Sequence, residues 1–253
     1  MVRLLFCIAA GWSLALSALA CEGAGLSASP DYRFLVGWIP DGRTAVEFVW
    51  FRNGIPWKQG VSEQTFLMRG GESLVSAEGV APVASSGVEF AAGRWGSALT
   101  LAPGGALAYP RERVLPLEEG TIELWIALRE DGSAAAYKRD NVLLRYAAPN
   151  GEYLQISQAG RDGTLYVGGS SRGQWQSAYG SRASMWGWRA GVWHHVAATY
   201  SARENSMRFY VDGVKTADTI EKRYWPPAAD GDRFTLGHAA YWIDEIRITA
   251  RSM

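Results

Sequence analysis

Cysteine is nearly absent from this chain: of its 253 residues only Cys7 and Cys21 carry a thiol. Cys7 lies inside an apolar run from Leu4 to about Ala20, so a chain cut after Ala20 keeps one cysteine and no intrachain disulfide. Net charge is absent too, with 25 Lys and Arg against 25 Asp and Glu. Without a net field to attract polyanions, nucleic acid and anionic lipid headgroups are not the expected partners. Beyond the first twenty residues no apolar run approaches the length of a membrane span. Histidine is scarce at three residues: His194 and His195 are neighbours on a strand and point to opposite faces, and His238 has no cysteine or carboxylate at ligand spacing. Zinc is therefore not expected.

The leader has a basic Arg3, the apolar run, and the small-residue triplet Ala18-Leu19-Ala20, which is the pattern of an export signal over residues 1–20. Ser17-Ala18-Leu19-Ala20-Cys21 also resembles a bacterial lipoprotein box, in which Cys21 would be lipidated, while Ala18-x-Ala20 equally satisfies an ordinary signal peptidase. Both readings place the protein in the cell envelope or outside the cell, with membrane contact only through an N-terminal lipid anchor. Residues 21–30 are small, polar and glycine-containing, the composition of a flexible tether. Residues 31–62 read as a hairpin extension, with strand-like runs at 33–39 and 45–51 about the turn Pro40-Asp41-Gly42. Trp38, Trp50 and Trp57 are expected to dock it by packing.

What the chain has in quantity is 29 Gly, 12 Trp and 11 Tyr, which suits short strands, many turns and large rings between sheets. Strand patterns recur at 98–101, 121–128, 141–146, 153–157, 164–167, 193–200, 206–211, 233–236 and 241–248. Such a series predicts an all-β, two-sheet antiparallel sandwich. Alternation sets Ile122, Leu124 and Ile126 against Thr121, Glu123 and Trp125. In the last strand it groups Asp244 with Trp242, Ile246 and Ile248, making Asp244 a buried carboxylate that needs hydrogen-bond donors or a cation.

Four stretches, in this order, resemble the laminin-G-like, concanavalin A-like jelly-roll family. They are Gly93-Arg94-Trp95-Gly96, Gly120-Thr121-Ile122-Glu123-Leu124-Trp125, Gly191-Val192-Trp193-His194-His195-Val196 with Asp212-Gly213, and Ile243-Asp244-Glu245-Ile246. The resemblance covers a domain over residues 65–251 and implies a jelly roll in which Trp125 and Trp193 are core rings and His195 is structural. It also implies that the last strand lies beside the first, near 65–74. Relatives that hold calcium use several acidic and carbonyl oxygens. Phe66-Leu67-Met68-Arg69-Gly70 lacks the usual acid before glycine, so Asp244 stands as a lone calcium candidate.

Catalytic constellations are missing. A glycosidase on this fold needs paired carboxylates facing one bond, and neither Glu118, Glu119 and Glu123 nor Asp244 and Glu245 alternate on one face to supply them. A binding module without catalysis or cofactor is expected, its partner a carbohydrate or a surface protein. The aromatic stretch 174–189 reads as the recognition loop: Trp175, Tyr179, Trp186 and Trp188 would stack on a ligand while Arg182, with Arg172 and Arg189, would bond its polar groups. Trp186 and Trp188 are equally read as rings capping the sandwich.

Overall fold

The computed structural model describes the backbone strands within 26–68 and then residues 72–133, 137–218, 224–229 and 233–252. The chain divides into two units, Met1–Ser62 and Glu63–Met253. The first holds a small sheet in the order β1 (Leu26–Ala28), β2 (Arg33–Leu35), β3 (Trp50–Arg52), β4 (Ile55–Trp57). Phe34 of β2 lies opposite Trp50 of β3. β1 falls within the stretch read as a tether and pairs with β2. The expected signal at 1–20, Cys21, Trp38 and the turn at 40–42 lie outside the described residues, as do the side chains of Trp50 and Trp57.

The second unit is all β. Its strands are β5 (Gln64–Met68), β6 (Ala84–Ala92), β7 (Ser97–Pro110), β8 (Glu119–Leu128), β9 (Asn141–Ala147), β10 (Tyr153–Gln158), β11 (Leu165–Ser171), β12 (Gln174–Ala178), β13 (Trp193–Ser201), β14 (Ser206–Val211), β15 (Val214–Asp218), β16 (Arg233–Leu236) and β17 (Tyr241–Thr249). Neighbours run β12-β11-β10-β9-β16-β7-β17-β8-β13-β14-β15. The long β7 joins two layers, pairing with β16 at Ala108 to Pro110 and meeting β17 where Leu99 faces Ile243. We call β12-β11-β10-β9-β16 the first sheet and β17-β8-β13-β14-β15 the second. β5 pairs with β17, Met68 opposite Ile246, so the first and last strands of the unit are adjacent, as the family pattern implies.

Between the layers lies one apolar core, with Leu144, Tyr146, Leu154, Ile156, Leu165 and Val167 from the first sheet and Ile122, Leu124, Ile126, Val196, Phe209 and Ile243 from the second. Each is almost wholly buried, and burying a side chain of this size stabilises the fold by roughly 1.5–3 kcal/mol. The inward residues of β8 are those predicted by alternation.

Two expectations fail. Trp125 is buried but sits on the outward face of β8, opposite His195, beneath the Arg94 guanidinium at 3.7 Å and edge-on to Trp95 at 5.5 Å. Trp193 shares that face through its pairing with Ala127 and is half-buried, so neither ring belongs to the core between the sheets. In β17 the alternation breaks. Asp244 pairs with Trp125 and Arg247 with Glu123, so three steps along β17 match two along β8. The extra residue is Glu245, a β-bulge in the left-handed region at φ 49°. It changes the phase of the strand: Ile243 and then Ile246 and Ile248 point into the core, while Asp244 and Arg247 face outward. Asp244 therefore does not share a face with Ile246.

The turn Gly93-Arg94-Trp95-Gly96 links β6 to β7, closed by the Gly93 N–H bonding the Gly96 carbonyl at 2.9 Å. A Cβ on Gly93 would lie 2.7 Å from Asp244 Oδ2 and from the Ala98 nitrogen, which explains the glycine. Asp212-Gly213 turns β14 into β15 with both residues at positive φ, the hairpin geometry expected of that pair.

Candidate functional site

Pairing registers define a grid on the outward face of the first sheet. Directly opposed residues of antiparallel strands point the same way, and every second residue returns to that face. One row runs Ala147, Tyr153, Ser170, Trp175 across β9, β10, β11 and β12. The next runs Arg145, Gln155, Gly168, Ser177. The third continues with Ser157 opposite Tyr166, and Tyr179, two residues past Ser177, lies against Tyr166 with ring centroids 5.4 Å apart. The grid thus has Tyr153 and Trp175 along one side, Tyr166 and Tyr179 along the other, and a polar row between them. Four strands span about 14 Å, since neighbours lie ~4.8 Å apart.

Gly168 leaves the middle row low. A Cβ there would stand 3.1 Å from Tyr166 Cε2 and from Ser177 Cβ, so a side chain would rise between the rows of rings. Gln155 is 7% exposed and donates to the Tyr166 hydroxyl at 3.4 Å. Arg145 stacks on Tyr153, its guanidinium carbon 4.3 Å from the ring centre.

The predicted aromatic residues divide between the two sheets. The stretch 174–189 is not a single loop, because Gln174–Ala178 forms β12. The tight turn at Arg172 and Gly173, both at positive φ, folds that strand back on β11. Trp175, 46% exposed, belongs to the grid. Tyr179 is half-buried and bound in place: its hydroxyl donates to Asp162 and accepts from Arg161 Nε at 3.1 Å. Burial pushes the Asp162 carboxyl up, yet the bonds from Tyr179 and Thr164 and the Arg161 charge hold it below the usual carboxylate range. Trp186, 40% exposed, lies over Gly163, next in sequence to Asp162, and the Ser184 hydroxyl donates to the Asp162 carbonyl at 2.7 Å. Asp162 and Gly163 thereby bring Trp186 to the same end of the first sheet as Tyr179. Arg182 is exposed on the short 3-10 turn Ser181–Ala183.

Trp188 stands apart. Its ring stacks on His194 at 3.7 Å and packs against the core, so it caps the sandwich at the second sheet. His194 Nδ1 lies 2.8 Å from Asp212 Oδ2, and the His195 N–H donates to Asp212 Oδ1 at 2.9 Å. His195 is buried between Trp125 and Glu123.

Asp244 is 3% exposed, with Oδ2 accepting from the Trp95 N–H at 3.0 Å and Oδ1 from the Glu245 N–H at 2.9 Å. Burial raises its pKa to about 6 in spite of those amides and the Arg94 charge. Among the described residues no group of three or more His, Cys, Asp or Glu is placed to hold a metal ion.

Tyr153, Tyr166, Arg145 and Gln155 were not singled out from the sequence. Period-two alternation from Tyr153 puts Tyr153, Gln155 and Ser157 on one face, but only the register sets Tyr166 and Trp175 beside them. Of the acids bordering the grid, Asp162 is engaged as described, and Glu152 accepts the N–H groups of Arg172 and Ala228 at 2.7 and 2.6 Å. Asp140, close enough to act on the Tyr166 hydroxyl, accepts the Gly160 N–H at 2.8 Å.

Residues 102–253 match the family model for the concanavalin A-like lectin/glucanases superfamily, and the chain belongs to that family. Among solved structures it resembles domain 4 of AbnA, an extracellular arabinanase from Geobacillus stearothermophilus, solved in complex with arabinotriose. That match has 17% identity and a TM-score of 0.59, and covers 76% of this chain and 94% of the domain. It also resembles the binding domain of Paraclostridial Mosquitocidal Protein 1 (14% identity, TM-score 0.60, 76% of this chain and 50% of that one). The botulinum neurotoxin serotype D binding domain is similar at 12% identity and TM-score 0.58, over 76% of this chain and 49% of that one. In the two toxin domains the chain thus spans about half of the matched length. No curated protein matches.

Proposed function

We propose that this protein is a non-catalytic carbohydrate-binding module whose ligand lies on the outward face of β10, β11 and β12. The observation that carries the reading is the grid, in which four rings border a polar row lowered by Gly168. Aromatic faces stack on the C–H faces of sugar rings, and the polar groups between them bond hydroxyls. Catalysis has no support in the acids nearby, because Asp162 and Glu152 are both committed to donors. The fold shared with an arabinanase domain that holds arabinotriose agrees with this use of the scaffold, as fold analogy and no more.

Screening residues 63–253 on a glycan array, beside the Trp175→Ala variant, tests the reading. Glycan retention that the variant loses supports it. Retention of envelope proteins with no glycan signal replaces it with a protein-docking module. Cys21 is proposed as the lipid anchor that keeps the module at the cell envelope, and unchanged membrane partition of Cys21→Ser in a fractionation assay removes that part.

A further inference from the structure

Arg145 occupies the middle row of the grid, opposite Gln155 on one side and Thr235 on the other. Its guanidinium stacks on Tyr153, and among the described residues no carboxylate lies within ion-pair distance of it. The acids nearest the face already have donors, Asp162 in Tyr179 and Arg161, Glu152 in two backbone amides and Asp140 in the Gly160 N–H. Beside Arg145, Gln155 is more than nine-tenths buried, and its Oε1 has no hydrogen-bond partner. The polar row therefore combines a cation without a counter-ion and a buried acceptor without a donor. A neutral sugar hydroxyl answers the acceptor but leaves the cation unmatched. A sugar that carries both a carboxylate and hydroxyls answers both, because the planar fork of arginine bonds a carboxylate through two parallel N–H groups.

We infer that the module recognises acidic glycans through Arg145, which binds the carboxylate of a uronic acid residue while Gln155 accepts a bond from one of its hydroxyls. The inference rests on the glycan-binding reading of the same face. Tyr153 and Tyr166 flank the acidic residue, and Trp175 takes the neighbouring sugar further along the row.

Affinity electrophoresis tests it with oligogalacturonate, oligomannuronate and glucuronoxylan, each beside its carboxyl-reduced counterpart. At least one acidic glycan is expected to bind about tenfold tighter than its reduced form, about 1.4 kcal/mol. Arg145→Gln should remove that preference, weakening the acidic glycan by about tenfold more than its reduced form, while Arg145→Lys, which keeps the charge without the fork, should recover part of it. Melting temperatures of both variants confirm that they fold. Equal binding of acidic and reduced forms, or equal weakening of both by Arg145→Gln, overturns the inference and leaves the glycan-binding reading standing. If no glycan binds, or if binding ignores Trp175→Ala, the reading of the face itself fails and the inference with it.

Discussion

The Tyr179 hydroxyl lies 2.7 Å from Asp162 Oδ1 and 2.6 Å from Oδ2, so the ring that ends the grid is held by a residue from the turn before β11. That bond orients the ring, and the ring itself makes the ligand contact. Tyr179→Phe should therefore keep glycan affinity within about threefold and, with Asp162 partly exposed, cost less than about 1 kcal/mol of stability. Tyr179→Ala should lower affinity by about tenfold, as expected for loss of one stacking ring. Calorimetric titration of both variants separates the two effects.

Filling the polar row tests the shape of the face independently of its rings. Gly168→Val puts branched carbon against Tyr166 and Ser177, at a position where even a Cβ would be 3.1 Å from each. The expected outcome is loss of glycan retention with a stability cost of about 1–3 kcal/mol, the usual range for overpacking. Denaturant unfolding beside an affinity gel measures both. A variant that folds and still binds places the ligand elsewhere.

Much of the second unit was legible in the sequence because its core strands alternate cleanly. Ile122, Leu124 and Ile126 announce the inward face of β8 with no help from the rest of the chain. β12 was read as loop because Trp175, Ser177 and Tyr179 alternate with Gln176 and Ala178, and only Ala178 is an apolar inward residue. Gln176 is buried for a different purpose: its amide bonds the Trp225 backbone through both Nε2 and Oε1, a contact 49 positions away along the chain. The reversal of face at Glu245 was equally hidden, since a bulge depends on the partner strand. Of the four rings of the candidate site, Trp175 and Tyr179 stand out in the sequence. Tyr153, Tyr166 and Arg145 join them only through register, which is a long-range property.

The bulge makes a sharp prediction. Deleting Glu245 removes the surplus residue and lets β17 alternate strictly beside β8, with Ile243, Ile246 and Ile248 still facing the core and Asp244 and Arg247 still facing outward. The variant should therefore fold with its core intact. A native near-ultraviolet circular dichroism signal is the expected result, and its loss would refute Glu245 as the surplus residue.

Asp244 gives the fold a pH dependence. Burial raises its pKa from 3.8 to about 6, so the folded chain binds this proton more tightly than the unfolded chain. The stabilisation is fully present below about pH 3.8 and is lost as pH rises through about 6. Linkage puts the gain at about 1.4 kcal/mol on going from pH 7.5 to pH 5. Urea unfolding at pH 5 and pH 7.5 should show that change in stability for the native chain relative to Asp244→Asn, and an equal pH dependence of the two would contradict it. With its oxygens held by amides, Asp244 should also give no rise in melting temperature when calcium is added.

The most direct test of the central claim is titration of the glycan selected by the array into the native module and into Trp175→Ala with Tyr166→Ala. The two rings border the grid on opposite sides, and each should contribute about 1–1.5 kcal/mol of contact. The account predicts a loss of about a hundredfold in affinity with the melting temperature little changed. Unchanged affinity in a folded double variant would contradict it and move the binding site off this face.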